Sequence, residues 1–216
     1  MRALRLLSLL ILTLAVAVDT QADQITFVYT GSGSGTIGAT SFSNADFVIT
    51  AISDTANRFK PYFDETSYFL FHDYTSIEII GIGHYIIYSS VHSYVSNTAM
   101  GAGFSGYSEI LDFGADLYQT PIDPIFGQWD MLTSIGPVEG SGFRLLQWDS
   151  FAAPLTDGGL LIFDDDASVM GSFQAIVAPE PAASQVMGAM SSIWIATYRI
   201  RSRRIGFISN TDPSNC

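Results

Sequence analysis

The sequence has 216 residues, of which 48% are hydrophobic and 13% aromatic, a composition that favours a packed core over intrinsic disorder. Residues 23–178 carry 18 Asp or Glu against three Lys or Arg, a net charge of −15. This acidic middle repels phosphate backbones and argues against nucleic acid as a partner. Cys216 is the only cysteine. An intramolecular disulfide is therefore impossible, and export has to be argued from targeting signals.

Residues 1–22 have the order of a secretory signal peptide. Two arginines precede a mostly apolar run at residues 6–18, which is shorter than a membrane span. Small residues after this run offer cleavage after Ala17 or after Ala22. The alternative is an N-terminal membrane anchor that stays uncut.

Short apolar runs punctuated by Gly, Asn and Asp fill the middle of the chain, a pattern typical of an all-β sandwich. No segment there has an apolar period of helical length. We therefore predict one exported all-β domain at residues 23–178, a single jelly-roll-like β-sandwich with few and short helices. The predicted strands are residues 25–30, 47–52, 68–71, 77–82, 85–88, 143–148, 160–163 and 172–177.

Two connections stand out between these strands. The glycine run Gly-Ser-Gly-Ser-Gly at residues 31–35 reads as a turn; no Lys-Ser/Thr follows it, so it does not match a phosphate-binding loop. Residues 116–142 are rich in Pro, Gly and Asp and predict a long surface connection. We expect Phe126, Trp129 and Met131 to hold that connection against the domain.

No pattern in the middle predicts a catalytic centre, a cofactor or a zinc site, because His72, His84 and His92 lack the close spacing of zinc ligands. Asp164, Asp165 and Asp166 form the densest acidic cluster and are weak candidates for calcium. They lack the spacing of a calcium-binding loop, so a solvated hairpin turn is the favoured interpretation.

Aromatic residues offer a second kind of site, because their rings can stack on sugars. Trp129 and Trp148 are our candidates for ligand-facing rings, and they would make the domain a carbohydrate-binding module. A secreted glycoside hydrolase would need two carboxylates facing each other across a cleft. Glu78, Glu109, Glu139 and Asp149 are available, but an acidic sequence offers such pairs by chance, and we predict no enzyme.

The C-terminal region has three parts in a fixed order. A Pro-Glu-Pro element, formed by Pro179, Glu180 and Pro181, precedes an uncharged apolar stretch at residues 182–198. A basic cluster follows, made of Arg199, Arg201, Arg203 and Arg204. This order resembles the PEP-CTERM sorting signal. Residues 31–36, 47–56, 129–137 and 171–175 also resemble a group of PEP-CTERM exported proteins with no established activity.

The resemblance implies a single hydrophobic helix in residues 179–204, held for a time in the inner membrane. It also implies an exosortase-like enzyme that recognises Pro179, Glu180 and Pro181. The four arginines would be the cytoplasmic stop, which agrees with the tendency of basic residues beside a span to stay in the cytoplasm. Residues 205–216 would be a short extension. A rival interpretation makes residues 182–204 an amphipathic helix docked on the domain.

Together with this resemblance, the sequence predicts an exported, non-enzymatic protein of a Gram-negative-type bacterium. It would begin as a precursor tethered to the inner membrane and end at the cell surface or in the extracellular matrix, associated with exopolysaccharide or biofilm. A carbohydrate-binding module is the alternative, and a secreted glycoside hydrolase is less favoured.

Overall fold

A computed structural model of the chain describes residues 23–62, 64–108, 113–148, 153–164 and 167–178. These residues contain no α-helix, only two 3-10 helices at Thr55–Asn57 and Pro124–Gly127, so the all-β prediction is confirmed. The strands are β1 (Gln24–Ile37), β2 (Thr40–Asp54), β3 (Ser67–Phe71), β4 (Tyr74–Ile79), β5 (Gly83–Ile86), β6 (Val91–Ser96), β7 (Gly101–Ser108), β8 (Phe113–Gln119), β9 (Ile135–Leu145), β10 (Leu155–Thr156), β11 (Gly159–Phe163) and β12 (Ala167–Ala178).

The predicted targeting segments lie outside the described residues. These are the signal peptide at residues 1–22, the sorting tail at residues 179–204 and the extension at residues 205–216. Among the described residues, no helix has the length and apolar character needed to cross a membrane. The chain divides between Ala178 and Pro179, so every described residue belongs to one unit.

The described strands form one continuous antiparallel sheet. Its strand order is β3–β6–β7–β8–β9–β12–β1–β2–β4–β5. Within this curled sheet, β8 and β9 share only two paired positions, Tyr118 with Leu145 and Gln119 with Arg144. Strand β1 faces β6 across the core, where the Tyr29 hydroxyl lies 2.6 Å from Ser93 Oγ.

Strand β5 is also connected back to β1 through β10 and β11. The Tyr88 N–H donates to the Leu155 carbonyl at 2.8 Å, and the Asp157 N–H donates to the Ile86 carbonyl at 3.1 Å. These bonds connect the end of β5 to β10, which pairs with β11, and β11 pairs with β1. The pairings therefore close a circuit through β1, β2, β4, β5, β10 and β11, which protects strand edges from pairing with other chains.

The core between the curled layers is largely aromatic. Ile25, Phe27 and Tyr29 alternate along β1 and are fully buried, as expected for one face of a strand. The Tyr29 ring lies 5.4 Å from the ring of Tyr118 and 5.1 Å from that of Phe173, measured between centroids. Burial of each large side chain contributes about 1.5–3 kcal/mol to folding.

The glycine run is part of β1, so its prediction as a turn is wrong. A Cβ on Gly33 would lie 2.8 Å from Phe163 Cδ1 and 2.9 Å from Leu145 Cδ1. Glycine is unfavourable in strands by propensity, but here the missing side chains let core groups lie directly against the backbone. The register of β1 shifts between Gly33 and Gly35, a bulge that re-aims the strand from β12 toward β11.

The long connection is shorter than predicted, because β8 extends to residue 119 and β9 starts at residue 135. Phe126, Trp129 and Met131 are all buried, which confirms that they hold this segment against the domain. Asn97 Nδ2 also donates to the carbonyls of Phe126 and Trp129, at 2.6 and 2.9 Å. The connection is therefore anchored by both apolar and polar contacts.

Candidate functional site

The candidate site lies on the side of β3, β6 and β7 that faces away from the core. Antiparallel partners share a face, and the pairs here are Phe59 with Phe69, Phe69 with Tyr94, and Phe71 with His92. The alternate residues of the same strands, including Ser93, face Tyr29 in the core. We call this surface the outer aromatic face; it consists of Phe59, Phe69, Phe71, His92, Tyr94 and Tyr107.

Phe59 and Phe71 form the exposed part of the outer aromatic face. Their ring centroids are 5.7 Å apart and the ring planes differ by only 12°, and the two residues are 40% and 37% exposed. Phe59 is fixed by two backbone hydrogen bonds with Phe69, at 3.0 and 2.9 Å. The Tyr107 ring packs edge-on against Phe71 at 5.7 Å. The arrangement presents two nearly parallel rings in fixed positions to solvent.

His92 lies beneath these rings and is only 5% exposed. Its imidazole is 5.1 Å from the Phe69 ring and 5.2 Å from the Phe71 ring. Burial lowers the pKa of His92 to about 4, so the ring is neutral near pH 7 and has one donor and one acceptor nitrogen. Nδ1 has no hydrogen-bond partner among the described residues, which is unusual for a buried polar atom.

The floor of the outer aromatic face continues onto β7 and β8. Ser105 Oγ donates to Asp116 Oδ1 at 2.8 Å. The Tyr94 ring lies over the backbone of Gly103, where an added Cβ would be 2.6 Å from Tyr94 Cζ. Burial, and then the negative charge of Asp116, raise the pKa of Tyr94 well above its usual value. The Tyr94 hydroxyl therefore stays protonated at neutral pH.

A second polar cluster lies inside the core and has a structural role. His72 Nδ1 is 3.0 Å from Thr75 Oγ1, and His72 Nε2 is 2.8 Å from Ser93 Oγ, which in turn contacts the Tyr29 hydroxyl. Both imidazole nitrogens are thus satisfied by hydroxyl groups. Burial, and then the charge of His92, lower the pKa of His72 to about 3. This cluster joins the two layers of the sheet.

The predicted ligand-facing rings are core residues, and that prediction is corrected here. Trp129 is 5% exposed and packs edge-on against Phe173, with ring centroids 5.8 Å apart. Trp148 is completely buried, and its ring lies 4.8 Å from that of Phe163. Large rings bury the most apolar surface. Burial of Trp129 and Trp148 in the core is therefore energetically favourable.

Of the three acidic candidates, the structure describes only Asp164. Asp164 follows β11 and is exposed, with its N–H donating to the Ser34 carbonyl at 2.8 Å; Asp165 and Asp166 lie outside the described residues. In the part of the chain that the structure describes, no group of three or more His, Cys, Asp or Glu could hold a metal ion.

The other predicted residues also divide between exposed strands and undescribed segments. Glu78 and Glu139 are exposed on β4 and β9. The other two carboxylates of the hydrolase alternative, Glu109 and Asp149, lie outside the described residues. The same is true of the Pro-Glu-Pro element and the basic cluster, which consist of Pro179, Glu180, Pro181, Arg199, Arg201, Arg203 and Arg204.

Sequence reasoning missed Phe59 and Phe71. A signal existed in β3, where Phe69 and Phe71 alternate with Leu70 and must occupy the opposite face of the strand. Nothing local indicated that Phe59 would pair beside Phe69.

Comparisons with protein-family models, with curated proteins and with solved structures find no match for this chain.

Proposed function

We propose that this chain is an exported, non-enzymatic cell-surface or extracellular-matrix protein, sorted by a PEP-CTERM/exosortase-type system and associated with exopolysaccharide. The supporting observation is the pairing of Gln24 with Ala178 in adjacent strands. The predicted signal peptide ends at residue 22, and the Pro-Glu-Pro element starts at residue 179. Both proposed processing points therefore lie just outside the paired strands, and cleavage at either point would remove no strand.

The N-terminal contacts favour one of the two cleavage points. The Thr55 N–H donates to the Asp23 carbonyl at 3.0 Å, so the folded unit already includes Asp23. Cleavage after Ala22 would leave Asp23 as the first residue. Cleavage after Ala17 would leave five further residues ahead of β1.

The proposal has a defined route. The signal peptide exports residues 23–178, and the apolar helix and four arginines of the tail hold the precursor in the inner membrane. The prolines at 179 and 181 keep the peptide around Glu180 extended, because proline lacks a backbone donor and disfavours helical angles in the residue before it. An extended segment beside a membrane helix is accessible to a processing enzyme. The jelly-roll-like arrangement of the exported domain belongs to the same proposal.

Intact-mass analysis of the protein from its native host, combined with cell fractionation, tests this proposal. We expect a mature product that starts at Asp23, ends near residue 180 and lacks Cys216. A variant with Pro179, Glu180 and Pro181 all changed to Ala should accumulate uncleaved in the inner membrane. Retention of Cys216 by the wild-type protein, in a host with an active exosortase, would contradict the proposal.

A carbohydrate-binding module is the second candidate function. The observation that favours it is the stacked pair of partly exposed rings, Phe59 and Phe71, because exposed aromatic rings can pack against the faces of sugar rings.

A further inference from the structure

We infer that the outer aromatic face is a binding site for neutral polysaccharide, in which Phe59 and Phe71 stack on sugar rings and His92 hydrogen-bonds a sugar hydroxyl. This inference rests on the proposed matrix role and names the site and the partner for it. It differs from the sequence prediction, which assigned ligand contact to Trp129 and Trp148.

The two rings are already arranged for stacking. Their planes differ by 12° and their centroids are 5.7 Å apart, so the two rings are stacked on each other with an offset, and each keeps part of its surface exposed. Phe59 is held by its backbone bonds to Phe69, and Phe71 by the edge of Tyr107. The backbone of Phe59 is therefore already ordered before binding, which lowers the entropy cost of forming the complex.

His92 supplies the second, independent observation. Its Nδ1 is buried without a hydrogen-bond partner among the described residues, and His92 is the cross-strand partner of Phe71. A buried polar atom left unpaired is destabilising, and a partner that supplies the missing bond recovers that cost. Because Nδ1 is buried in the unbound protein, a sugar hydroxyl would supply this bond after a turn of the Phe71 ring that uncovers the atom.

Charge decides between neutral and anionic polysaccharides. Residues 23–178 carry a net charge of −15, which repels a polyanion along its whole length. Arg58 and Lys60 flank Phe59, but both cations are engaged within the protein: Arg58 NH1 pairs with Asp130 Oδ2 at 3.0 Å, and Lys60 Nζ donates to the Glu65 carbonyl at 2.9 Å. A neutral chain avoids this repulsion.

Size argues against a protein partner at the same surface. A stable protein interface buries roughly 800 Å² on each side, and two rings that are each about two-fifths exposed supply only a small part of that area. A chain of sugars, which binds through a few stacked rings and hydroxyl contacts, fits the exposed surface better.

Affinity electrophoresis of the full-length chain in mild detergent tests the site. Native gels would contain dextran, hydroxyethylcellulose, galactomannan or the neutral fraction of the host exopolysaccharide, with alginate as the anionic comparison. We expect retardation in at least one neutral gel and none in alginate. The double variant Phe59→Ala/Phe71→Ala should weaken binding about tenfold or more. The matched control is Tyr88→Ala, which removes a ring that is 65% exposed beside β10 and should bind as wild type.

His92→Phe tests the polar contact separately, because Phe fills the same space without the unpaired nitrogen. It should keep the fold, checked by far-UV circular dichroism, and still weaken binding. Absence of retardation in every neutral gel, retardation in alginate alone, or wild-type binding by the double variant would each overturn the inference. Correctly processed termini together with any of these results would leave the export proposal standing, so the two can fail separately.

Discussion

The hydroxyl of Tyr29 on β1 lies 2.6 Å from the hydroxyl of Ser93 on β6, although the two residues are 64 positions apart in the chain. Ser93 also contacts His72 Nε2 at 2.8 Å, and Tyr29 donates to the Gly103 carbonyl at 3.1 Å. This polar chain runs through an aromatic core and connects the two layers of one curled sheet. The members of this chain are one another's hydrogen-bond partners. Loss of one member therefore leaves the others buried without a partner.

Tyr29→Phe should therefore destabilise the protein more than loss of one ordinary surface hydroxyl. We expect a loss of about 1–3 kcal/mol in the free energy of unfolding, because Ser93 and the Gly103 carbonyl each lose a bond inside the core. Urea unfolding measures this loss. Tyr88→Phe, at an exposed position, should change stability by less than about 0.5 kcal/mol. The double variant Tyr29→Phe/Ser93→Ala should lose less than the sum of the single losses, since the two share one interaction.

Stability should fall in mild acid because of two buried histidines. The folded-state pKa values are about 3 for His72 and about 4 for His92, both below the ordinary 6.5. As the pH falls below 6.5 the unfolded chain takes up these protons first, so their contribution is fully present above that pH. It is lost progressively down to about pH 4 for His92 and about pH 3 for His72, at up to roughly 1.4 kcal/mol per pH unit for each.

Urea unfolding of wild type and His92→Phe across this pH range measures the effect. The variant should lose about half of the slope between pH 6 and pH 5, because only His72 remains to take up a proton on unfolding. Equal slopes for the two proteins would contradict the role given to His92.

Gly35→Ala should be strongly destabilising although the residue lies in a strand. A Cβ there would collide with the Ile162 carbonyl oxygen and lie 2.9 Å from Phe163 Cα, and both are backbone atoms that cannot turn aside. We expect a loss of about 1–3 kcal/mol or more, measured by thermal or urea unfolding. Gly101→Ala is the matched control, since its Cβ would meet nothing closer than Thr120 Oγ1 at 3.9 Å. Its stability should be unchanged or slightly higher.

The tail prediction concerns orientation. Replacing Arg199, Arg201, Arg203 and Arg204 together by Asn should let the tail pass through the membrane or release the protein, because basic residues beside a span favour the cytoplasmic side. Protease protection and fractionation in the native host measure the result. Lys at all four positions is the charge-preserving control and should localise as wild type. Unchanged localisation of the Asn variant would favour the docked-helix interpretation.

The strands that sequence reasoning found are those rich in branched and aromatic residues. Each of the eight predicted strands overlaps an observed strand, although residues 77–82, 85–88 and 143–148 run past the ends of β4, β5 and β9. Sequence reasoning missed β6, β7, β8 and the two-residue β10, although β6 contains two valines and a tyrosine. Gly101–Ser108 is made mostly of Gly, Ala and Ser, which have low or neutral strand propensity. Such residues become strand only because large rings from elsewhere, such as that of Tyr94, lie against them.

The candidate site was less predictable than the fold. A strand pattern shows that Phe69 and Phe71 share a face, but whether that face is inside or outside depends on which layer covers it. The pairing of Phe59 with Phe69 joins residues across a turn with no hairpin signal. The buried position of His92 depends on rings from β3 and β7. Contacts of this kind arise from tertiary packing and leave no local mark in the sequence.

The neighbouring ends of the folded unit have a mechanical consequence. Gln24 and Ala178 lie opposite each other at the same end of the β1–β12 pair. Tension applied between them would part the hydrogen-bonded pairs one after another from that end, and would not shear them all at once, because antiparallel bonds run perpendicular to the strands. The fold is thus weak against pulling between its own ends. A protein attached through only one of its two ends would not carry tension between Gln24 and Ala178. The β1–β12 pair would then not be pulled apart.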